Sequence, residues 1–248
     1  LEEVLAFAEQ AEKELHSLDN LDEQIASLEK ELKAIGATVR EKAEKLSQNR
    51  LRIAKQLTAA MQAELASLSF QQALFEVSVI SGDCADDSNL SATGGDTVTF
   101  LFSANPGEPP KPLTEVVSGG ELSRLMLAMK CLLARRDKVD TVIFDEIDAG
   151  IGGEAAEAVA RKIDELASHH QVFCITHLPQ IAAYADAHFL VEKQVNTHRT
   201  FTTIRDLSYD ERIRELARML GGKKPSQQTL LFAQELVEGR TDTRQSKI

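Results

Sequence analysis

The chain has 248 residues, 43% of them hydrophobic and 27% charged, with a formal net charge of −11. That size and balance suit one substantial core plus an extension. No apolar run approaches the ~20 residues of a membrane-spanning helix, and the acidity argues against a globally basic surface for holding nucleic acid. Cys84, Cys131 and Cys174 are widely spaced and lack C-x-x-C or Cys/His ligand spacing. Buried thiols in a reducing compartment are therefore expected, rather than disulfides or zinc. The opening Leu1-Glu2-Glu3 resembles neither a secretory signal nor an initiator methionine, and reads as a helix entered midway in a cytoplasmic protein.

Residues 1–69 are almost free of helix breakers and rich in Glu, Lys, Gln, Ala and Leu, the composition of a long helix or coiled coil. Leu18, Ile25, Leu32, Val39, Leu46, Ile53 and Ala60 recur at heptad spacing, with Leu21, Leu28 and Ile35 filling the second seam position. After Gly36 that second position turns polar, at Lys42, Asn49 and Gln56, which predicts a bend or a change of supercoil. Asp19-Asn20 with Glu23 can start a helix by capping, so a turn near Asp19 is expected between a short and a long helix. An uncovered seam of this length calls for a partner helix.

From residue 70 short apolar runs alternate with helical stretches. Strands are expected at 75–80 and 97–102, separated by an Asp/Ser/Gly-rich turn. A proline-rich loop at 105–112 should carry no regular structure. Helices at 120–136 and 154–169 then alternate with buried strands at 141–144 and 172–176, implying a mainly parallel sheet flanked by helices: an α/β lobe over residues 70–239. Residues 189–192 and 200–207 read as an antiparallel hairpin closing the sheet's edge through Asn196-Thr197-His198-Arg199. Helices at 210–220 and 226–238 follow, the second ended by Gly239, and 240–248 reads as a flexible polar tail.

Three segments carry chemistry. Ser118-Gly119-Gly120-Glu121 opens a helix, so its amides and dipole can face an anion, although an ordinary N-cap explains the same residues. Asp145 and Glu146 emerge at the carboxyl edge of the 141–144 strand, where ligands bind in open α/β folds. One can hold Mg²⁺ and the other can orient or deprotonate a water, while capping of the next turn is the plainer role for Asp145. His177 follows the 172–176 strand and would reach the same edge, able to bond a phosphate or the attacking water. A histidine satisfied within a turn is the commoner case, and Pro179 favours a turn. Asp148 lies among Gly150, Gly152 and Gly153 in a loop that could carry a carboxylate across a subunit boundary or simply connect strand to helix. His169 and His170 read as a helix-capping pair, and Lys130, Arg135, Arg136 and Lys138 as a solvated basic face. A G-x-x-x-x-G-K-[S/T] phosphate loop occurs nowhere in the sequence.

Taken in order, SGGELSR at 118–124, TVIFDEIDAGIGG at 141–153 and ITHLPQIA at 175–182 resemble the signature, Walker B strand, D-loop and switch histidine of ABC-type ATPases. With the coiled coil ahead of them, they look like the C-terminal lobe of an ABC-type P-loop ATPase head from the SMC-like branch, and FLFSANPGEP and ELARMLGG point to its bacterial double-strand-break repair members. Glu115 departs from the pattern, which has a basic residue before the signature. The resemblance implies that Ser118, Gly119, Gly120 and Glu121 act in trans on ATP held by a second head, with Asp145 on Mg²⁺, Glu146 as catalytic base, Asp148 as the D-loop aspartate and His177 as γ-phosphate sensor. It further implies a homodimer through the heads, a separate N-terminal head half carrying the phosphate loop, double-stranded DNA or DNA ends as partner, the recombinase RecA as a further one, no membrane, and a nucleoid-associated cytoplasmic location. The chain alone should turn ATP over poorly. An ABC transporter's ATPase subunit and a non-catalytic coiled-coil scaffold are the alternatives.

Overall fold

The structure, a computed structural model, describes residues 2–70, 72–82, 90–115, 118–196 and 199–245, and only the backbone at 17–20, 194–196, 199–200 and 241–245. Cys84, most of the turn after the first strand and Thr197-His198 lie outside the described residues. Two compact units result: residues 1–56 with 77–99, and residues 57–76 with 100–248. The division falls within the long helix.

That helix, α1 (Glu2–Ser67), runs without a break through Asp19 and Gly36. The turn expected at Asp19 does not form, because a run otherwise composed of strong helix formers tolerates one local capping sequence. In the first unit the heptad seam is open: Ile25 is 51% exposed, Leu32 72% and Ile35 53%. Nearer Gln56 the helix carries the first unit's share of two strands, β1 (Leu74–Ser81) and β2 (Asp96–Ser103). Small residues Ala43, Ser47 and Ala54 are buried there. Ser47 Oγ meets Ser81 Oγ at 2.8 Å, and Arg50 donates to Asp96 Oδ2 at 2.9 Å and to the Thr93 carbonyl at 2.7 Å. Burial pushes the Asp96 carboxyl up, but hydrogen bonds from Arg50, Ser47 and Ser81 outweigh it and hold the group below the usual range.

In the second unit the last turns of α1 bury Met61, Leu65 and Leu68. The helix stops at Ser69, whose φ of 66° is left-handed, and the Phe70 amide donates back to Leu65 O at 2.9 Å. Gln62 then guides the chain into β1, donating to Ala73 O and accepting from the Phe75 amide. Part of the proline-rich loop is regular after all: β3 (Lys111–Pro112) pairs antiparallel with β2 through Leu101↔Pro112 and Phe102↔Lys111. Proline is tolerated there because an edge position needs no N–H on its outer side.

Helix α2 (Gly119–Leu133) leads to β4 (Thr141–Phe144), α3 (Gly153–Ala167) and β5 (Gln171–Cys174). β4 and β5 are parallel, in register from Thr141↔Gln171 to Phe144↔Cys174, and the Ile175 amide extends the ladder to Phe144 O at 2.9 Å. By contrast, β2 pairs antiparallel with β3. Both β4 and β5 were expected to be buried; the structure buries one face only. Val142 and Phe144 point inward, while Ile143 is 67% exposed, Ile175 60% and Phe173 45%. Parallel strands are ordinarily covered on both faces.

α4 (Pro179–Ala182) follows β5. The hairpin β6 (Phe189–Asn196) and β7 (Arg199–Asp206) pairs over its full length from Phe189↔Asp206 to Asn196↔Arg199. It forms its own two-stranded sheet rather than an edge of β4–β5. α5 (Tyr209–Gly221), opened by a Ser208/Glu211 capping box, and α6 (Gln227–Gln245) close the unit. Leu216 and Ala217 of α5 and Ala233 and Val237 of α6 bury Ala182 and Ala183. α6 does not end at Gly239 but runs on to Gln245. Arg240 donates to Ala185 O at 2.6 Å and to Asp186 Oδ1 at 2.7 Å, with Asp164 Oδ1 at 3.1 Å, which fixes the helix beyond the glycine. His170 is likewise no helix cap: it is buried, its Nδ1 lying 2.6 Å from Val139 O on the approach to β4. No described helix is long and apolar enough to cross a membrane.

Candidate functional site

The parallel register of β4 and β5 delivers their carboxyl ends side by side, so the turn at Asp145–Ala149 and the segment Thr176–Leu178 meet at one edge. The N-terminus of α2 comes to the same place. Ser118 is its N-cap, its Oγ accepting from the Glu121 amide at 3.4 Å. Two side chains one turn further on join α2 to the β4 turn. Ser123 Oγ donates to Asp145 O at 2.9 Å, and Arg124 Nη1 donates to Ala149 O at 2.8 Å and Ile147 O at 3.3 Å. Arg124 is buried, its guanidinium 5.0 Å from the Phe70 ring centroid, and burial depresses its pKa. It pairs with carbonyls and an aromatic face instead of a carboxylate.

Of the two signature glycines, Gly120 is required by close approach. A Cβ on Gly120 would lie 2.9 Å from both Cβ and O of Ala149, and one on Gly119 would lie 2.5 Å from Glu146 Oε2. Gly120 is therefore buried against the chain's own turn, and of the expected anion cradle only Ser118 and Gly119 stay exposed, with Glu121 half-buried.

Asp145 and Glu146 are exposed, Asp145 Oδ1 accepting the Glu146 amide at 2.9 Å. Glu146 has a φ of 57°, an uncommon left-handed conformation for a side chain of this kind. Ile147, fully buried, anchors the turn from below. Asp148 points inward, at 4% exposure. Its Oδ2 accepts from Thr176 Oγ1 at 2.6 Å and the His177 amide at 2.8 Å, and lies 2.9 Å from His177 Nδ1. Burial pushes this carboxyl up, but the hydrogen bonds from the Thr176 hydroxyl and the His177 amide more than offset it, leaving it below the usual range. His177 itself is 74% exposed.

The structure thus gathers the N-terminus of α2, the Asp145–Glu146 turn, Asp148 and His177 at one edge. It adds Ser123, Arg124 and Thr176, which sequence reasoning passed over. Arg124 had a visible signal, since it shares a helix face with buried Leu127 and Ala128. Thr176 had none. In the basic cluster Lys130 is paired with Asp137, leaving Arg135, Arg136 and Lys138 exposed. Cys131 and Cys174 are free thiols, half-buried, each pushed up to about 12 by burial.

This order of segments, gathered on one edge and following a long helix in the sequence, defines the C-terminal lobe of an ABC-type ATPase head of the SMC-like kind. No family model matches the chain. It is 38% identical, over 96% of its length, to DNA repair protein RecN of Bacillus subtilis strain 168, and 40% identical, over 99%, to DNA repair protein RecN of Treponema pallidum strain Nichols. The chain is a homologue of RecN. It spans about two fifths of the length of these relatives, 43% in both. Among solved structures, an Smc head domain with coiled coil and joint from Pyrococcus yayanosii aligns at a TM-score of 0.47 and 21% identity, over 67% of this chain and 29% of that one.

Proposed function

We propose that the chain supplies the signature, metal-binding and switch segments of an SMC-like ATPase in DNA double-strand break repair and recombination, and that ATP hydrolysis between two heads drives DNA binding or tethering. The observation that carries this reading is the convergence of Ser118–Gly119, Asp145–Glu146 and His177 on one edge, tied by Ser123, Arg124 and Asp148. The RecN relatives support the setting in repair.

The donor set fits Mg²⁺ bound with a nucleotide. Among the described residues no group of three His, Cys, Asp or Glu could hold a metal unaided. Asp145 offers one exposed carboxylate, which suits an ion that takes one or two carboxylates and completes its shell with phosphate and water. Bound there, Mg²⁺ would offset phosphate charge. Glu146, exposed one residue on, is placed to orient a water and take its proton. Ser118 and Gly119 present a hydroxyl and the positive end of α2 outward, toward the phosphates of a second head's nucleotide. Asp148 acts within the chain, on His177.

Partner requirements follow. The sequence has no phosphate loop, and the exposed face of Ile143, Phe173 and Ile175 is where an N-terminal head half carrying one would pack. The open heptad seam on α1 is where the returning coiled-coil helix would lie. Dimerisation through the heads, DNA ends as substrate, and RecA as a further partner belong to the same proposal. The test is ATP turnover of this chain mixed with a fragment carrying the phosphate-loop half, with and without linear duplex DNA. DNA-stimulated turnover confined to the mixture is expected. Robust turnover by the chain alone, or none from a mixture shown to assemble, would overturn it.

A further inference from the structure

The hydrogen bonds around Asp148 have only one consistent set of donors. The Leu178 amide donates to Thr176 Oγ1 at 3.0 Å, which occupies a lone pair of that hydroxyl and directs its proton onward to Asp148 Oδ2 at 2.6 Å. The His177 amide donates to the same oxygen at 2.8 Å. Asp148 is therefore an acceptor at Oδ2, and His177 Nδ1, 2.9 Å from that oxygen, must be the ring nitrogen that carries a proton. With the side chain of Asp148 5% exposed and that of His177 74% exposed, the carboxylate holds the inner nitrogen while the outer edge of the ring stands in solvent.

From this geometry we propose that Asp148 and Thr176 are positioning residues that fix neutral His177 as the Nδ1–H tautomer, so that Nε2 presents a lone pair to the site. A lone pair accepts a hydrogen bond from water; it cannot donate to a phosphate oxygen, which is itself only an acceptor. The neutral ring thus offers the site an acceptor for water, whereas only the protonated ring, with a proton on both nitrogens, can donate to a phosphate oxygen, a reading that rests on the site being the ATPase centre proposed above. No bond is made or broken by His177 in this role. Thr176 matters because its hydroxyl, locked by the Leu178 amide, gives Asp148 a donor that a methyl group cannot replace.

The tautomer can be read without nucleotide. In the full chain labelled with ¹⁵N-histidine, at a pH where the ring signals are those of the neutral form, His177, assigned by loss of its signals in H177N, should show protonated Nδ1 and unprotonated Nε2. D148A and T176V should shift the population toward the Nε2–H form favoured by free imidazole side chains, and T176S should restore it. Circular dichroism establishes that each variant is folded; should D148A not fold, the near-isosteric T176V and its T176S rescue carry the comparison. An Nε2–H tautomer in the parent chain would overturn the proposal, as would a tautomer indifferent to T176V. Because no ATP is present, these outcomes are independent of turnover in the assembled head, whose failure would count against the ATPase reading alone.

Discussion

Adjacent glycines at the start of α2 should respond oppositely to alanine. Neither has a left-handed φ, so backbone strain does not enter and the outcome depends on what the new methyl meets. At Gly120 it meets the Cβ and carbonyl oxygen of Ala149, both at 2.9 Å. That carbonyl also accepts from Arg124 at 2.8 Å, so the turn cannot withdraw without loosening a charge-assisted bond. Overpacking of this kind costs ~1–3 kcal/mol, and weakening a bond to a charged donor adds ~1–2 kcal/mol. The helix propensity of alanine returns at most ~1 kcal/mol. G120A should therefore destabilise the chain by about 2–4 kcal/mol. At Gly119 the methyl meets only Glu146 Oε2, at 2.5 Å, the far end of an exposed and flexible side chain that can swing aside. A changed rotamer costs ~0.5–1.5 kcal/mol and propensity offsets most of it, so G119A should unfold in urea within about 0.5 kcal/mol of the parent by linear extrapolation. Its effect should fall on the chemistry: Glu146 displaced by about an ångström should lower turnover of the assembled head by roughly tenfold to a hundredfold. Equal destabilisation by the two alanines, or a G120A chain as stable as the parent, would refute the reasoning.

R124A removes a buried cation but strands the Ile147 and Ala149 carbonyls and the Phe70 face, so a loss of about 3–4 kcal/mol is expected in urea unfolding; a cost below ~1 kcal/mol would show that the strut is dispensable. For Asp148 the folded-state value lies below that of the unfolded carboxyl, so its stabilisation is complete above the unfolded value of ~3.9 and is lost as pH falls through the folded one. The stability gap between parent and D148N should accordingly be smaller at about pH 3 than at about pH 5, and an unchanged or wider gap at low pH would contradict the sign. I143D with I175D should leave the thermal midpoint of the isolated chain nearly unchanged, since both side chains are mostly exposed, while abolishing co-elution with the phosphate-loop half. Retained co-elution would place that partner elsewhere.

Much of this was legible in the sequence wherever the governing interaction is periodic or short-range. The heptads of α1 predicted a long helix with an open seam, and the apolar tetrad before Asp145 predicted a strand that delivers carboxylates to an edge. The failures have a common cause. Capping residues at Asp19, glycine at 239 and proline at 112 are local signals, and each was overridden by something distant or cumulative: the helix formers around Asp19, the Arg240 contacts with Ala185, Asp164 and Asp186, and the register of β2 against Lys111–Pro112. Burial of both faces of β4–β5 was inferred from an apolar pattern that is real, yet Ile143, Phe173 and Ile175 stay exposed, because an apolar run does not say which of its faces the chain itself covers.

The site itself shows what a motif string leaves out. Ser118, Gly119, Asp145, Glu146 and His177 can be picked out because their residue types suit phosphate, metal and water. What holds them together runs largely through main-chain carbonyls: Asp145 O takes Ser123, Ile147 O and Ala149 O take Arg124, and the inward carboxylate of Asp148 takes a threonine hydroxyl and an amide. A carbonyl has no letter in the sequence, so its partner looks unemployed until the turn is seen. The same wiring makes the α2 N-terminus, the Glu146 turn and the His177 segment one mechanical unit. A displacement of Ser118 and Gly119 by an engaging partner would be felt first at Asp145 through Ser123, next at Ala149 through Arg124, and only through Asp148 at His177. Double-mutant cycles between Arg124 and Thr176 should therefore couple weakly, and those between Arg124 and Gly120 strongly, because the latter pair shares the Ala149 carbonyl while the former is joined only through the turn between Ala149 and Asp148.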